Sequence, residues 1–181
     1  MTELIPVNTE EDILPAYRTG PIGDLIRWHN LNAPLRECAA PELLIGMCMD
    51  HRNLLRMPRN FAYILRAGGA NFRRVEFKVS FAIAIGGVRT MVLIGHSRCG
   101  MVHLRERREA FITGLVEGAG WKPDAAAEHF DENAPLFEID DAADFVAEEA
   151  QRLGARYPQI GIGALYYDVD DSLLSQVLLR S

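Results

Sequence analysis

The sequence predicts an α/β fold: a single domain with a mostly parallel central sheet flanked by helices, preceded by an N-terminal helical arm. Two short apolar runs, at residues 43–49 and 91–95, have the composition of strands that are buried on both faces of a parallel sheet. Strand and helix patterns alternate along the chain, which favours parallel strands joined by helices. The length of 181 residues fits one domain, with residues 1–40 as the arm and 41–181 as the core.

The composition argues against several classes of function. The net charge is −6 and is spread over both halves of the chain, so no basic face for nucleic acid is expected. No run of about 18 apolar residues is present to span a bilayer, and the first residues lack the basic and apolar regions of a signal peptide. We therefore expect a cytoplasmic protein with no nucleic-acid or membrane partner. The three cysteines favour metal binding or catalysis over disulfides, because they are odd in number and widely spaced.

Prolines interrupt the first 40 residues, so only short helices are predicted there. The best candidate is residues 22–28, where Leu25, Ile26 and Trp28 supply apolar surface. Too few periodic positions remain for the arm to form its own core, and we expect it to pack on another subunit. The first strand follows at residues 43–49.

The middle of the chain contains further strand and helix patterns. Residues 61–65 are predicted as a second strand that ends in a glycine-rich loop at 66–71. The apolar spacing in residues 72–85 predicts a helix, which a pair of glycines stops. The apolar run at 91–95 is the next strand, and residues 100–118 are predicted as a helix with a charged, solvated face.

Proline and polar residues predict turns and breaks in the segment after this helix. A turn at residues 121–124 leads into a short segment at 125–130, and Pro135 is expected to break the chain again. Asp140 is then expected to cap a helix that extends to about residue 153.

Two segments remain near the C-terminus. Residues 160–169 have the pattern of a last buried strand. Residues 173–179 fit either a short strand or a helix, and their pattern does not decide between the two. The chain contains no internal repeat or low-complexity segment.

Potential metal ligands follow both apolar runs where each strand would end. Cys48 closes the first run, and His96 and Cys99 follow the second. Ligands of open α/β sheets lie beyond the carboxyl ends of the strands, so two neighbouring strands could bring these side chains together. Two thiolates and one imidazole suit Zn²⁺, which binds tetrahedrally and keeps one position open in catalytic sites. The sequence therefore predicts a zinc site at this edge of the sheet.

Each of these residues also has an ordinary structural interpretation. A single buried cysteine is more often a small apolar residue than a ligand. His96 could cap the helix that follows it, and Asp50 with Arg52 could form a purely structural salt bridge. The combination favours a metal, because three unpaired soft ligands at two strand ends would be costly to bury.

Two strand-end motifs together resemble the site of the β-class carbonic anhydrases: Cys48-x-Asp50-x-Arg52 and His96-x-x-Cys99-Gly100. Residues 66–69, Arg-Ala-Gly-Gly, are similar to the Arg-Asn-Ala-Gly loop of that family. Residues 163–169 are similar to its last buried strand. The resemblance runs over residues 43–110 and again over 160–170.

This resemblance implies a zinc enzyme that reversibly hydrates carbon dioxide to bicarbonate, with residues 41–181 as its catalytic core. Cys48, His96 and Cys99 would be the protein ligands. The metal lowers the pKa of a bound water toward about 7, which provides a zinc-bound hydroxide at neutral pH. The resemblance also implies a homodimer or a higher homo-oligomer, with each site near a subunit boundary.

Asp50 and Arg52 are the predicted catalytic residues. Asp50 would accept a hydrogen bond from the hydroxide and aim it at carbon dioxide, or would bind the zinc as a fourth ligand. Arg52 would hold Asp50 ionised and fix its rotamer. His51 and His103 are candidate proton shuttles, because a free imidazole titrates near about pH 6.5.

Three residues around the site depart from the usual pattern of that family: His51, Ala67 and Arg98. Because these residues surround the predicted metal, they bear on the identity of the substrate more than on the identity of the metal. One alternative is a zinc hydrolase of the same fold that acts on carbonyl sulfide or carbon disulfide, which are linear like carbon dioxide. A second alternative is a non-catalytic scaffold or sensor that zinc stabilises.

Overall fold

A six-stranded mixed sheet runs through residues 2–179, the part of the chain that this computed structural model describes. Its strands are β1 (Thr2–Pro6), β2 (Leu43–Met47), β3 (Ala62–Arg66), β4 (Thr90–His96), β5 (Gly161–Tyr167) and β6 (Leu174–Leu179). Their order across the sheet is β1-β6-β5-β4-β2-β3. The four strands from β5 to β3 are parallel, whereas β6 and β1 are antiparallel to their neighbours. The predicted α/β fold with a mostly parallel sheet is confirmed.

Helices cover both faces of this sheet. They are α1 (Pro21–His29), α2 (Phe77–Ala84), α3 (Arg108–Ala119), α4 (Pro123–Phe137) and α5 (Ala142–Arg156). Alternate residues of β2 serve opposite faces, since Ile45 packs in the cluster that contains α1 and Leu44 in the cluster that contains α2 and α5. Burial on both faces explains why these strands are continuously apolar. Within the described residues, none of the helices is long and apolar enough to cross a bilayer.

The N-terminal arm begins with a strand that the sequence analysis missed. β1 pairs antiparallel with β6, from Thr2 opposite Leu179 to Pro6 opposite Ser175. This pairing also shows that the C-terminal segment, which the pattern left undecided, is a strand. A five-residue edge strand carries too few positions for a periodic signal, so only its partner reveals it.

The arm packs on the sheet of its own chain, and its expected contact with another subunit stays a prediction. Ile13, Leu25 and Ile26 are fully buried, and they lie in the same cluster as Val92 and Leu165 of the sheet. The predicted helix at residues 22–28 corresponds to α1. The sheet supplies the core against which the apolar residues of α1 are buried.

Three helices in the middle of the chain have boundaries that differ from those predicted. α3 begins at Arg108 and not at residue 100, because turns and a 3₁₀ helix at Leu104–Arg107 precede it. α2 begins at Phe77 and not at residue 72, because the preceding loop contains a 3₁₀ turn at Gly68–Ala70 and further turns up to α2. α4 runs through Pro135 and ends at Phe137, so the predicted break is wrong. Pro135 cannot donate a hydrogen bond to the carbonyl of Asp131, and the helix ends two residues later.

α5 is capped one residue later than predicted. The carboxylate of Asp141, and not that of Asp140, accepts hydrogen bonds from the amides of Ala143 and Asp144, both at 2.8 Å. The helix then continues through Gly154, because an interior glycine costs only about 1 kcal/mol.

Gly95 allows α5 to lie directly against β4. A Cβ atom on Gly95 would stand 2.5 Å from the carbonyl oxygen of Ala142 and 3.3 Å from Cγ2 of Val146, both in α5. A backbone oxygen cannot rotate away as a side chain can, so any larger residue would push the helix off the sheet. This contact fixes the start of α5 beside His96, the last residue of β4.

We expect Gly95→Ala to lower the free energy of unfolding by about 1–3 kcal/mol, because overpacking forces α5 away from β4. Urea unfolding of both proteins measures this difference. Gly161→Ala in β5 is the matched control, since its Cβ would meet its nearest neighbour, the carbonyl oxygen of Arg89, only at 3.9 Å. Its effect should stay within about 0.5 kcal/mol. Equal effects of the two substitutions would contradict the close approach at Gly95.

Candidate metal centre

The carboxyl ends of β2 and β4 lie side by side, and each delivers potential metal ligands. Residues 44–47 of β2 pair in parallel register with residues 91–94 of β4. Cys48 follows β2 directly, His96 is the last residue of β4, and Cys99 lies in the turn after it. Parallel pairing therefore brings the two predicted motifs to the same edge of the sheet.

The three predicted ligands form one compact, buried group. Their ligand atoms lie within 4.8 Å of one another, and the Sγ atoms of Cys48 and Cys99 are 3.9 Å apart. In a tetrahedral zinc site with Zn–S bonds of about 2.3 Å, two sulfurs stand about 3.8 Å apart. The group thus already has the spacing that a zinc ion requires.

One ring nitrogen of His96 makes a hydrogen bond, and the other has no hydrogen-bond partner among the described residues. Its Nδ1 donates a hydrogen bond to the carbonyl oxygen of Ser97 at 2.9 Å. Its Nε2 is buried and has no hydrogen-bond partner among residues 2–179. A buried ring nitrogen without a partner is costly, and a metal ion at Nε2 removes that cost.

The contact between the two thiols changes their pKa values in opposite directions. The hydrogen bond with Cys99 lowers the pKa of Cys48, and the same contact raises the pKa of Cys99, because loss of the Cys99 proton would remove this bond and place two thiolates side by side. The amide of Gly69, 3.4 Å from Cys48 Sγ, also favours the thiolate there. A bound divalent cation would favour the thiolate form of both residues.

Asp50 and Arg52 form a forked ion pair beside this group. Nε of Arg52 donates to Oδ1 of Asp50 at 2.9 Å, and Nη2 donates to Oδ2 at 2.7 Å. The Arg52 amide adds a third hydrogen bond to Oδ1 at 2.9 Å. These bonds hold the pKa of Asp50 well below its usual range. Among the described residues, the compact ligand group does not include the Asp50 carboxylate.

Solved structures with the same arrangement of elements include several carbonic anhydrases. β-Carbonic anhydrase isoform I of Trichomonas vaginalis is 20% identical, with 81% of this chain and 88% of that chain covered and a TM-score of 0.60. The carbonic anhydrase of Glaciozyma antarctica is 23% identical, with 77% and 84% covered and a TM-score of 0.60. The chain has the β-carbonic anhydrase fold. The predicted resemblance is thereby confirmed at the level of the fold.

A carbon disulfide hydrolase also shares the β-carbonic anhydrase fold with this chain. It is 21% identical, with 75% of this chain and 78% of that chain covered and a TM-score of 0.50. No protein-family model and no curated protein matches the sequence. The fold is therefore established by structure, while the reaction has to be argued from the site.

Arg66 organises the loop that carries Cys48 and Asp50, a role that the sequence analysis missed. Its guanidinium donates to the carbonyl oxygens of Cys48, Asp50 and Asn53 at 2.9, 3.3 and 3.0 Å. The sequence offered one signal, because an arginine at the end of β3 must lie beside the end of the neighbouring β2. The partner atoms are backbone carbonyls, which no sequence motif records.

The glycine-rich loop after Arg66 also contacts the site. Gly69 has a φ of +63°, a conformation that favours glycine, and its amide reaches Cys48 Sγ. A Cβ on Gly69 would stand 3.1 Å from Ile139 Cδ1 and 3.2 Å from Met101 Cβ. Ala67, which departs from the pattern of the family, donates a backbone hydrogen bond to Met47 at 3.1 Å and accepts one from Ala70 at 3.1 Å.

His51 and Arg98 also depart from the pattern of the family, and His51 and His103 are the two candidate proton shuttles. These three residues lie in different parts of the site. Arg98 and His103 line a cavity of about 500 Å³ together with His96 and Cys99. His51 is exposed in the loop that follows Cys48. Of the two histidines proposed as shuttles, His103 therefore shares a cavity with two of the metal ligands.

A second cavity, of about 350 Å³, borders the site from the side of α3 and α4. Its lining is mainly apolar and includes Met49, Met101, Leu104, Phe111, Phe130 and Phe137. Met49 adjoins Cys48 in the chain, and Met101 lies two residues after Cys99. The three ligand residues do not line this cavity themselves, but their chain neighbours do.

We expect the purified protein to hold about one zinc ion per chain, because three preorganised donors suit a four-coordinate site. Elemental analysis after gel filtration measures this content. Cys48→Ser and His96→Ala should each abolish retention, and acidification should release the metal as the thiolates protonate.

Cys38→Ser is the matched control for these variants. Cys38 is a buried thiol outside the site that contacts Nη1 of Arg36 at 3.2 Å. Zinc content that falls as much in Cys38→Ser as in Cys48→Ser would contradict the assigned ligands.

Proposed function

We propose that this protein is a zinc-dependent carbonic anhydrase, which reversibly hydrates carbon dioxide to bicarbonate. The observation that carries the proposal is the buried group of Cys48, His96 and Cys99 with the Asp50–Arg52 pair beside it. This combination occurs in a chain with the fold of the Trichomonas vaginalis and Glaciozyma antarctica enzymes. When bound, the zinc would make a water molecule acidic enough to act as the nucleophile at neutral pH.

Asp50 is proposed to orient that nucleophile as a hydrogen-bond acceptor and not as a fourth ligand. Both of its oxygens are held by Arg52, and its carboxylate is not part of the compact ligand group of the described residues. An ionised carboxylate accepts a hydrogen bond and thereby aims a lone pair of the nucleophile at the carbon of carbon dioxide. Arg52 keeps Asp50 ionised and fixes its rotamer.

His103 is proposed to carry the proton that each turnover releases. Its side chain is exposed and lines the cavity that also contains His96 and Cys99. An imidazole can both accept and donate a proton, so a residue at this position can take the proton outward.

The apolar cavity favours a second candidate function, the hydrolysis of carbon disulfide or carbonyl sulfide. These substrates are uncharged and linear like carbon dioxide, and Met49 and Met101 place an apolar surface near the ligand residues. The shared fold with a carbon disulfide hydrolase is the second support. The same Asp50 and Arg52 would serve both reactions, so the substrate is decided by the cavity and not by the metal ligands.

A homodimer or higher homo-oligomer is proposed because α2 exposes an apolar face. Phe77, Phe81 and Ile85 are 79%, 52% and 72% exposed, and their spacing of four residues places them on one side of the helix. The end of α2 lies against Tyr63 of β3, the outer strand of the sheet, where Ile64 is also exposed. An exposed apolar helix face near the outer strand of the described sheet is typical of an interface between subunits.

We expect Asp50→Asn and Arg52→Ala to lower carbon dioxide hydration about 100-fold, because the nucleophile is no longer aimed at its target. Stopped-flow measurement of the pH change at pH 7 and pH 8.5, with zinc-replete protein, tests this. Glu42→Gln is the matched control, since it breaks another forked pair, with Arg36, on the protein surface.

The same assay separates the competing functions. Hydrogen sulfide release from carbon disulfide or carbonyl sulfide that exceeds carbon dioxide hydration would favour the second candidate. A zinc-loaded protein that is inactive on all three substrates would contradict both enzymatic proposals and favour the scaffold. Asp50→Asn with unchanged activity would contradict the role assigned to Asp50.

We expect sedimentation to show at least a dimer, and Phe81→Glu to shift it toward the monomer, because a charge on the apolar face of α2 opposes its burial. Leu178→Glu is the control, since Leu178 is exposed on β6, at the other side of the sheet. A monomeric wild-type protein would contradict this proposal without affecting the metal site.

A further inference from the structure

The turn that joins two of the metal ligands is attached to the end of β5. The amide of Ser97 donates to the carbonyl oxygen of Tyr167 at 3.0 Å. Its Oγ donates to Oδ1 of Asp168 at 3.0 Å and accepts from the amide of Val169 at 2.9 Å. Three hydrogen bonds therefore fix both the backbone and the side chain of Ser97 to residues 167–169.

Ser97 in turn fixes the ring of His96. The carbonyl oxygen of Ser97 accepts the hydrogen bond from His96 Nδ1 at 2.9 Å. This bond keeps the proton on Nδ1 and leaves the buried Nε2 as the nitrogen available to a metal. Because the amide and the hydroxyl of Ser97 are hydrogen-bonded to residues 167–169, its carbonyl cannot turn away from the His96 ring.

Asp168 completes this support. Its Oδ1 accepts hydrogen bonds from Ser97 Oγ and from the amide of Asp170 at 2.9 Å, and the bond from Asp170 contributes most to lowering the pKa of Asp168. An ionised carboxylate is a stronger acceptor than a neutral one, so it holds the serine hydroxyl in a single orientation. Asp168 lies in the strand-end segment that the sequence analysis matched to the family without assigning it a role.

The same turn is held from its other side. Arg98 has a φ of +56°, which is unfavourable for a residue with a side chain and persists only where its surroundings enforce it. The carbonyl oxygen of Arg98 accepts from Nη2 of Arg52 at 3.1 Å, and its guanidinium pairs with Asp170. The ligand turn is therefore clamped between the Asp50–Arg52 pair and the segment after β5.

We propose that Ser97 and Asp168 are positioning residues that orient His96 and thereby set the zinc affinity of the site. The inference rests on the proposed zinc site and is independent of the reaction catalysed there. Residues that hold a metal-binding histidine through its second nitrogen commonly change metal affinity by about 10- to 100-fold when they are replaced. Neither residue needs to touch the metal for this effect.

The test is the zinc dissociation constant of the folded, metal-free protein at neutral pH, measured by competition with a chromophoric chelator. Ser97→Ala removes both hydroxyl hydrogen bonds and should weaken zinc binding by about 10- to 100-fold. Ser97→Thr keeps the hydroxyl and should restore an affinity close to that of the wild type. Asp168→Asn keeps the shape of the side chain but loses its charge. The zinc affinity of this variant should lie between those of Ser97→Ala and Ser97→Thr.

Asp171→Asn is the matched control. Asp171 belongs to the same segment after β5, and its Oδ1 accepts from the amide of Leu173 at 2.8 Å. The control should bind zinc as the wild type does. Thermal unfolding of each metal-free variant shows whether a change in affinity accompanies a general loss of structure.

The inference is overturned if Ser97→Ala and Asp168→Asn bind zinc as tightly as the wild type, or if Asp171→Asn loses as much affinity as they do. Should metal-free Ser97→Ala fail to fold, Asp168→Asn and Ser97→Thr decide the question by the same measurement. A wild-type protein that binds no zinc contradicts the proposed function itself. Wild-type binding with unaffected variants contradicts only this inference.

Discussion

The parallel pairing of β2 with β4 is the interaction on which the rest of the structure depends. It joins two segments that are far apart in the chain and aligns their carboxyl ends in one register. Helices cover both faces of the pair, so the strands must be apolar throughout and cannot slip without burying polar groups. The fixed register places Cys48 opposite the end of β4, where His96 and Cys99 follow.

Around this pair of strands, arginine side chains donate hydrogen bonds to the backbone carbonyls of the adjoining loops. Arg66 donates to three carbonyls of the loop after β2, and Arg52 donates to the carbonyl of Arg98 in the turn after β4. Ser97 and Asp168 connect that turn to the end of β5. Loops of this kind would otherwise be mobile, and the ligands on them would have to be ordered when a metal binds. A network that orders them in advance removes that entropic cost from binding.

The two cavities beside the ligand group differ in polarity, and this difference bears on what the site can accept. One is lined by methionine, leucine and phenylalanine, and the other includes Arg98, His103 and Glu106. Neutral and ionic molecules have opposite requirements for desolvation, so the two cavities differ in which of them they can accept. The unusual residue Arg98 belongs to the polar side, where it lines the cavity and pairs with Asp170.

The sequence by itself determined the α/β class and the four parallel strands, and it predicted the five residues of the candidate site. These features have local signals, because a strand buried on both faces is continuously apolar and ligands follow directly at its end. It did not reveal β1, the passage of α4 through Pro135 or the cap at Asp141, which depend on a partner strand or on one backbone geometry. Only the tertiary structure showed that Arg66, Ser97 and Asp168 hold the site. Their partners are mostly backbone groups brought close by the sheet, and a backbone carbonyl or amide is the same at every position of the sequence.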